Sequence, residues 1–238
     1  MNSAHSLAVI GRIKTPFQEK FGIPRQSGLV DVSGIVEMLP GYDKPALFDG
    51  LETFSHIWLS FIFHQNADQG WRERVRPPRL GGNRRIGVFA TRSPFRPNHL
   101  GLSVVRLDHI HIREGRVCLH VRGADLLDGT PVVDIKPYLP YVDAVPDATG
   151  GFAPHAPETQ LQVVFSDKAR EQLLQLPSGE TLRSLIGQLV ALDPRPAYRK
   201  EVEEDRVYGM RLAGCNVRWQ VSDNQAMVLG IEAENSAS

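Results

Sequence analysis

Alternation with a period of two runs through the first half of the chain. Val117, Leu119 and Val121 alternate with Cys118, His120 and Arg122, which is the pattern of a strand with one buried face. Ile86, Val88 and Ala90 alternate with Arg85, Gly87 and Phe89 in the same way. The run Ile57-Trp-Leu-Ser-Phe-Ile-Phe63 is apolar almost throughout, as in a strand covered on both faces. Residues 102–113 and 116–122 predict a hairpin turning at Glu114-Gly115. Asp128-Gly129 predicts a second turn, leading into a strand over 130–136. No ten-residue stretch of helical period separates these pieces. The economical architecture is a closed or nearly closed β-sheet, because closure removes strand edges.

The texture changes after Pro140. Residues 140–157 hold four prolines and the pair Gly150-Gly151, and they predict the boundary between an N-terminal domain, 1–145, and a second domain, 146–238. Beyond it, 161–165 reads as a strand. Ser166 then offers an N-cap for a helix over 167–176. Leu182, Leu185, Ile186, Leu189 and Val190 recur at helical spacing. Short strands follow near 206–212, 215–221 and 226–232. The fold class is therefore mainly β: an N-terminal β-barrel and a small C-terminal α+β domain.

One segment breaks the strand pattern. In GVFATRSPFRPNHLGLS, residues 87–103, Pro94 and Pro97 interrupt two apolar arms around Arg92, Arg96, Asn98 and His99. Proline fixes φ, removes a backbone donor and pushes the preceding residue to extended geometry. The segment reads as strand, stiff polar loop, strand. A stiff loop holds charged groups at little ordering cost, which suits a ligand site.

Composition bounds the function. The chain has 238 residues, 42% of them hydrophobic, enough for a core in each domain. The 27 basic and 27 acidic residues leave no net charge, so no global field points to a polyanion. The distribution is uneven. Between Trp71 and Asn98 stand eight arginines, among them Arg72, Arg74, Arg76, Arg84 and Arg85, against the single acid Glu73. Arginine suits planar contact with phosphate or carboxylate, so the stretch is either a solvated basic face or a surface for a polyanion such as RNA. Cys118 and Cys215 are the only cysteines and form no CxxC, as expected of a reduced, cytoplasmic protein. No signal peptide or membrane-spanning stretch is expected.

Several chemistries lack their signatures. There is no GxGxxG between a strand and a helix and no GxxxxGK[ST]. No GxSxG elbow is present. His109 and His111 share a strand face without a third ligand at telling spacing, so no metal is expected. Asp125-Leu126-Leu127-Asp128 is more suggestive: two carboxylates lie between strands, placed either for turn capping or for ribose hydroxyls and a cationic ligand. Pro24-Arg25-Gln26 and His64-Gln65 add polar groups at strand ends.

These same stretches carry a resemblance. GVFATRSPFRPNHLGLS, DLLDGTPVVDIKPYLPY (125–141), PRQ (24–26), GLETFSHIWLSFIFHQ (50–65), VRPPRLGG (75–82) and DPRPAYRK (193–200) closely resemble the TsaA-like, or TrmO, family in its bacterial two-domain form. The match is collinear and covers nearly the whole chain. The resemblance implies an S-adenosylmethionine-dependent methyltransferase with a β-barrel cofactor domain. It implies methylation of N6 of threonylcarbamoyladenosine beside the tRNA anticodon, by a homodimer with its cofactor pocket near the subunit seam. Carried onto this chain, the cofactor contacts fall at Pro24, Arg25, Gln26, His64, Gln65, Arg92, Leu102, Asp125, Leu126, Leu127 and Asp128. Arg25 or Arg92 would meet the cofactor carboxylate, and Asp125 or Asp128 its ribose. Arg72, Arg74, Arg76, Arg84 and Arg85 would meet the tRNA, with Arg195, Tyr198, Arg199 and Lys200 of the second domain assisting. The target base lies in a single-stranded loop, where Phe95, Trp71 or Tyr198 would offer a stacking surface. One departure stands out: the family's usual RPNP is Arg96-Pro97-Asn98-His99 here, which predicts a slightly less rigid loop. A non-catalytic cofactor- or RNA-binding module, or a small-molecule methyltransferase, remains the alternative.

Overall fold

The structure is a computed structural model that describes residues 5–158, 161–196 and 206–234. Two compact units emerge from it. The first comprises 1–15, 25–75 and 87–146, and the second 16–24, 76–86 and 147–238.

The first unit is a closed six-stranded barrel. Its strands are β1 (Gly11–Lys14), β2 (Ser33–Met38), β3 (His56–Ile62), β6 (Leu100–Arg113), β7 (Arg116–Arg122) and β8 (Thr130–Pro137), in the order β1-β2-β7-β6-β3-β8. Every neighbouring pair is antiparallel, and closure comes from β1, which pairs with both β2 and β8. The period-two pattern fixes what points inward. Ile13, Val36, Ile57, Leu59, Leu119, Val121 and Val132 are all buried in one apolar cluster. Registers bring Ile13 opposite Val36, Val36 opposite Leu119, and Phe61 opposite Val132. Burial of such side chains is the main stabilising term, about 1.5–3 kcal/mol each.

The β6–β7 hairpin turns at Glu114-Gly115, where both φ values are positive (53° and 76°), as a type I′ turn requires. The arm over 85–90 differs from its sequence reading. β5 covers only Ile86–Gly87, and a 3₁₀ turn over Val88–Ala90 replaces the rest of the strand. Buried Val88 explains this: its N–H bonds Glu73 O at 2.9 Å, and its carbonyl accepts from the Thr91 amide and hydroxyl. β4, at Arg74–Val75, is equally short. After β8, Pro140 opens the four-residue helix α1 (Pro140–Asp143), with Asp143 accepting from the Trp58 indole at 3.0 Å and from Leu139 N–H at 2.8 Å.

The second unit is a four-stranded sheet in the order β10 (Val207–Leu212), β11 (Cys215–Ser222), β12 (Gln225–Ala233), β9 (Gln162–Phe165). Helices α2 (Asp167–Leu174) and α3 (Gly179–Ala191) pack on it. The Ser166 hydroxyl caps α2 by accepting from Ala169 N–H at 3.1 Å. Segment 16–24 belongs to this unit although it lies far away in sequence. Phe17 bridges to Leu212, Ala213 N–H bonds Pro16 O, and Phe21 stacks on buried Trp219. A single cut near 145 therefore omits two early segments of the second unit. No helix among the described residues is long and apolar enough to cross a membrane.

Candidate functional site

Topology decides where the polar loops meet. In a barrel whose neighbours all run antiparallel, the ends of β1, β3 and β7 and the starts of β2, β6 and β8 share one rim. The connections 15–32, 63–99 and 123–129 all leave or enter at that rim. Arg25, Gln26, His64, Gln65, Arg92, Leu102 and 125–128 thus share one end of the barrel, although sequence separates them by up to a hundred residues.

Two of these loops dock through glycine. Gly28 N–H donates to Gly123 O at 2.9 Å, and Gly123 N–H to Val32 O at 2.8 Å. Gly123 has φ of 78°, and a Cβ there would lie 3.2 Å from the Gly28 backbone, so any side chain would push the loops apart. Arg122 clamps Asp31 through two parallel hydrogen bonds, with Nε–Oδ1 at 2.7 Å, and this holds the Asp31 carboxyl below its ordinary range.

The docked loops build a charged cluster around Asp125. Removal from water pushes the Asp125 carboxyl above its ordinary range. Opposing that push are the Ser103 hydroxyl, which donates at 2.7 Å, the positive charge of Arg92 and the Ser27 amide. Arg92 in turn donates from Nη1 to Gln26 Oε1. Ser103 is itself buried on the inward face of β6, one polar position in an otherwise apolar phase. Cation, amide and partly desolvated carboxyl thus stand together, equipped for a small ligand carrying both signs of charge and hydroxyl groups.

The loop that presents Arg92 is braced by more than proline. The Thr91 hydroxyl bonds Val88 O at 2.8 Å, Arg96 Nη1 bonds Thr91 O at 2.6 Å, and Ser93 N–H reaches the Thr91 hydroxyl at 3.2 Å. His99 takes φ of 50°, which proline's ring forbids, and its Nδ1 lies 3.0 Å from Pro94 O. The predicted loss of rigidity is offset, since the imidazole closes back onto the loop. His99 O also accepts from Phe63 N–H at 2.8 Å, which fixes the half-buried His64 and exposed Gln65 beside this loop.

The remaining expected contacts differ in what they offer. Asp128 is exposed and accepts from Thr15 N–H at 3.0 Å, a turn anchor with its outer face open. Leu126 and Leu127 turn their side chains into the protein, while their carbonyls accept from the Thr15 and Thr130 hydroxyls. Only their backbone remains for a ligand. Leu102 faces outward and is 55% exposed. Arg25 is exposed, and Pro24 is buried and belongs to the second unit.

Arg72, Arg74, Arg76, Arg84 and Arg85 are all exposed, the first two in the first unit and the others in the second. Arg195 is not available as a surface contact. It is buried and grips Asp193 through Nε at 2.8 Å and Nη2 at 3.0 Å, because Asp193, at φ of 50°, turns the chain back onto it. Tyr198, Arg199 and Lys200 lie outside the described residues. Among the described residues no three His, Cys, Asp or Glu side chains converge as for a metal. His109 stacks on His120 at 4.1 Å, and burial, with His109 and His111 nearby, pushes the His120 pKa down. Ser27, Ser103 and the Gly28–Gly123 contact escape the sequence reading. Only Ser103 left a trace, as the polar break in the apolar phase of LGLSVVRL.

A closed β-barrel whose loops gather a cation and a carboxyl at one rim, joined to a small α+β unit, is the class of protein the structure defines, and comparison with known families is more specific. The tRNA-methyltransferase O N-terminal domain matches residues 12–144, and the TrmO C-terminal domain matches 158–234. The chain belongs to the TrmO family of tRNA methyltransferases. It is 46% identical over 232 residues to the tRNA (adenine(37)-N6)-methyltransferase of Escherichia coli K12, covering 97% of this chain and 99% of that one. An Eikenella corrodens enzyme of the same name is 51% identical over 181 residues, 76% of this chain and 98% of that one. The crystal structure of TrmO from Pseudomonas aeruginosa superposes with a TM-score of 0.78 at 40% identity, covering 97% and 99% of the two chains.

Proposed function

We propose that this chain transfers a methyl group from S-adenosylmethionine to N6 of adenosine 37 of tRNA, and that the substrate base is threonylcarbamoyladenosine. The observation that carries the reading is the Arg92–Gln26–Asp125 cluster on the barrel rim, within a chain nearly collinear with enzymes named for that reaction. The donor set fits the proposed cofactor. An α-amino acid joined through a sulfonium to a nucleoside presents a carboxylate, positive charge and ribose hydroxyls, and Arg92, Arg25, Asp125 and Asp128 complement each of these.

When bound, S-adenosylmethionine supplies an electrophilic methyl group. The chain's own residues do the positioning. Arg92, presented by its braced loop, pairs with the carboxylate, with Gln26 holding the guanidinium in place. Asp125 takes a ribose hydroxyl in either protonation state, donating as the acid and accepting as the carboxylate. Backbone groups around Leu102 and Leu126 frame the adenine, and His64-Gln65 line the pocket. Fixed orientation supplies most of the acceleration in such a displacement. The ureido carbonyl on the target base acidifies its N6–H, so proton removal asks little of the enzyme. The exposed arginines between 72 and 85 hold anticodon-stem phosphates, and the enzyme works as a cytoplasmic homodimer.

The test is transfer of a labelled methyl group from the cofactor to bulk tRNA from a strain lacking the activity. Label at N6 of the modified adenosine beside the anticodon is expected. Label outside RNA would replace the reading with small-molecule methylation, and no label despite cofactor binding would leave a binding module. Arg84→Glu with Arg85→Glu is expected to weaken tRNA binding and reduce its salt dependence by about two phosphate contacts, with cofactor affinity unchanged. Equal loss of both affinities would sink this assignment of the arginines.

A further inference from the structure

Phe89 is 77% exposed, third among the large apolar side chains of the described residues after Tyr141 and Leu174. Its neighbour Val88 is buried and pinned through both its amide and its carbonyl, so the 3₁₀ turn forces Phe89 outward. The ring stands three residues before Arg92 on the same braced loop. Arg96 lies over it, with the guanidinium carbon 5.9 Å from the ring centroid, and is itself held by Thr91 O at 2.6 Å. Phe95, which the sequence offered as a stacking surface, is differently placed. It is half-buried and covered at 4.1 Å by the Arg72 guanidinium, while its carbonyl accepts from Arg72 N–H.

The ring thus carries a cation over one face, sits on a braced loop and is otherwise largely exposed, the geometry of an open stacking surface. The occupant is identified by the chemistry of the same stretch of chain. Eight arginines against one acid in residues 71–98 disfavour an ordinary apolar protein face and favour an anionic chain that carries flat aromatic groups. We infer that Phe89 is a stacking platform for an unpaired base of the RNA substrate, with Arg96 bracing the ring from behind. This rests on the tRNA reading above and deepens it. Stacking on Phe89 would seat the single-stranded loop beside Arg92 and Asp125, and so present the target amine to the cofactor pocket.

The experiment compares Phe89→Ala, Phe89→Leu and Phe89→Trp in the full chain. The probe is an anticodon stem-loop RNA carrying 2-aminopurine at each loop position in turn. Wild type and Phe89→Trp are expected to quench one position, and Phe89→Leu and Phe89→Ala to lose that quenching. The KM for tRNA should rise roughly ten- to hundredfold in the Leu and Ala variants, while cofactor Kd, Tm and oligomeric mass stay unchanged. Leu performing as well as Phe would overturn the inference, since it retains apolar bulk without a π-face. A mass change in Phe89→Ala would overturn it in favour of a subunit contact. Quenching is read without turnover, so an inactive wild type would remove the methyl-transfer reading while the platform was still tested on its own.

Discussion

Two arginines in this chain stand within two residues of a proline in polar segments, and they have opposite fates. Arg92, in TRSP, is exposed at the barrel rim, donates to Gln26, and faces a carboxyl raised above its ordinary range by loss of water. Arg195, in DPRP, is buried, with both ends of its guanidinium held by Asp193 and its charge further stabilised by the Tyr208 hydroxyl. The second pair is complete. The first is left with spare capacity, and spare charge capacity held in a rigid frame is what the proposed ligand site requires and a structural clamp does not. A buried bidentate pair needs nothing more, whereas a half-satisfied pair at a rim is stabilised by what binds there.

Three substitutions sharpen that contrast. Arg195→Ala should have the largest effect, because removing one partner strands a buried carboxylate at about 3–5 kcal/mol. Thermal unfolding would fall steeply, Arg195→Lys would rescue little because lysine lacks the planar fork, and cofactor Kd of the folded fraction would be unchanged. If Arg195→Ala melted like wild type, the clamp role would be lost. Arg92→Ala should behave inversely. A hydrogen bond to a charged group is worth about 1.5–3 kcal/mol, so cofactor Kd should rise roughly ten- to hundredfold by calorimetry, with Tm nearly unchanged. Undiminished affinity would remove Arg92 from the pocket.

Asp125→Asn should show the smallest effect on folding and the clearest pH signature. The folded state holds the Asp125 proton more tightly than the unfolded chain does. Its stabilising contribution is therefore complete at acid pH and is lost as pH rises from the ordinary carboxylate value, about 4, through the raised one. Asparagine cannot ionise, and its oxygen still accepts from Ser103. The variant should melt slightly above wild type at neutral pH, with the difference closing below about pH 4, while cofactor affinity falls. A variant less stable than wild type at pH 7 would mean that the hydrogen bonds outweigh the desolvation.

The strands were legible because their periodicity reports burial directly. Val117–Leu119–Val121 shows its inward phase in one dimension, and Ser166 announces its helix by a local hydrogen bond. The arm over 85–90 misled because its alternation is real while its backbone obeys a distant partner, the Glu73 carbonyl. The site was legible in part. Asp125, Arg92 and Gln26 are polar groups at strand ends, but nothing local reveals that Gly28 meets Gly123, that Ser103 reaches Asp125, or that Phe89 is pushed into water.

Local pattern and chemistry, which each residue carries with it, determined the barrel-forming strands, the capped helix α2, the stiff loop and the family membership. Only the closed antiparallel topology decided that loops a hundred residues apart share a rim. Tertiary packing in the second unit likewise decided that Arg195 is buried and that segment 16–24 completes that unit. Charge pairing and burial depend on distances in space, and those exist only once the ladder closes.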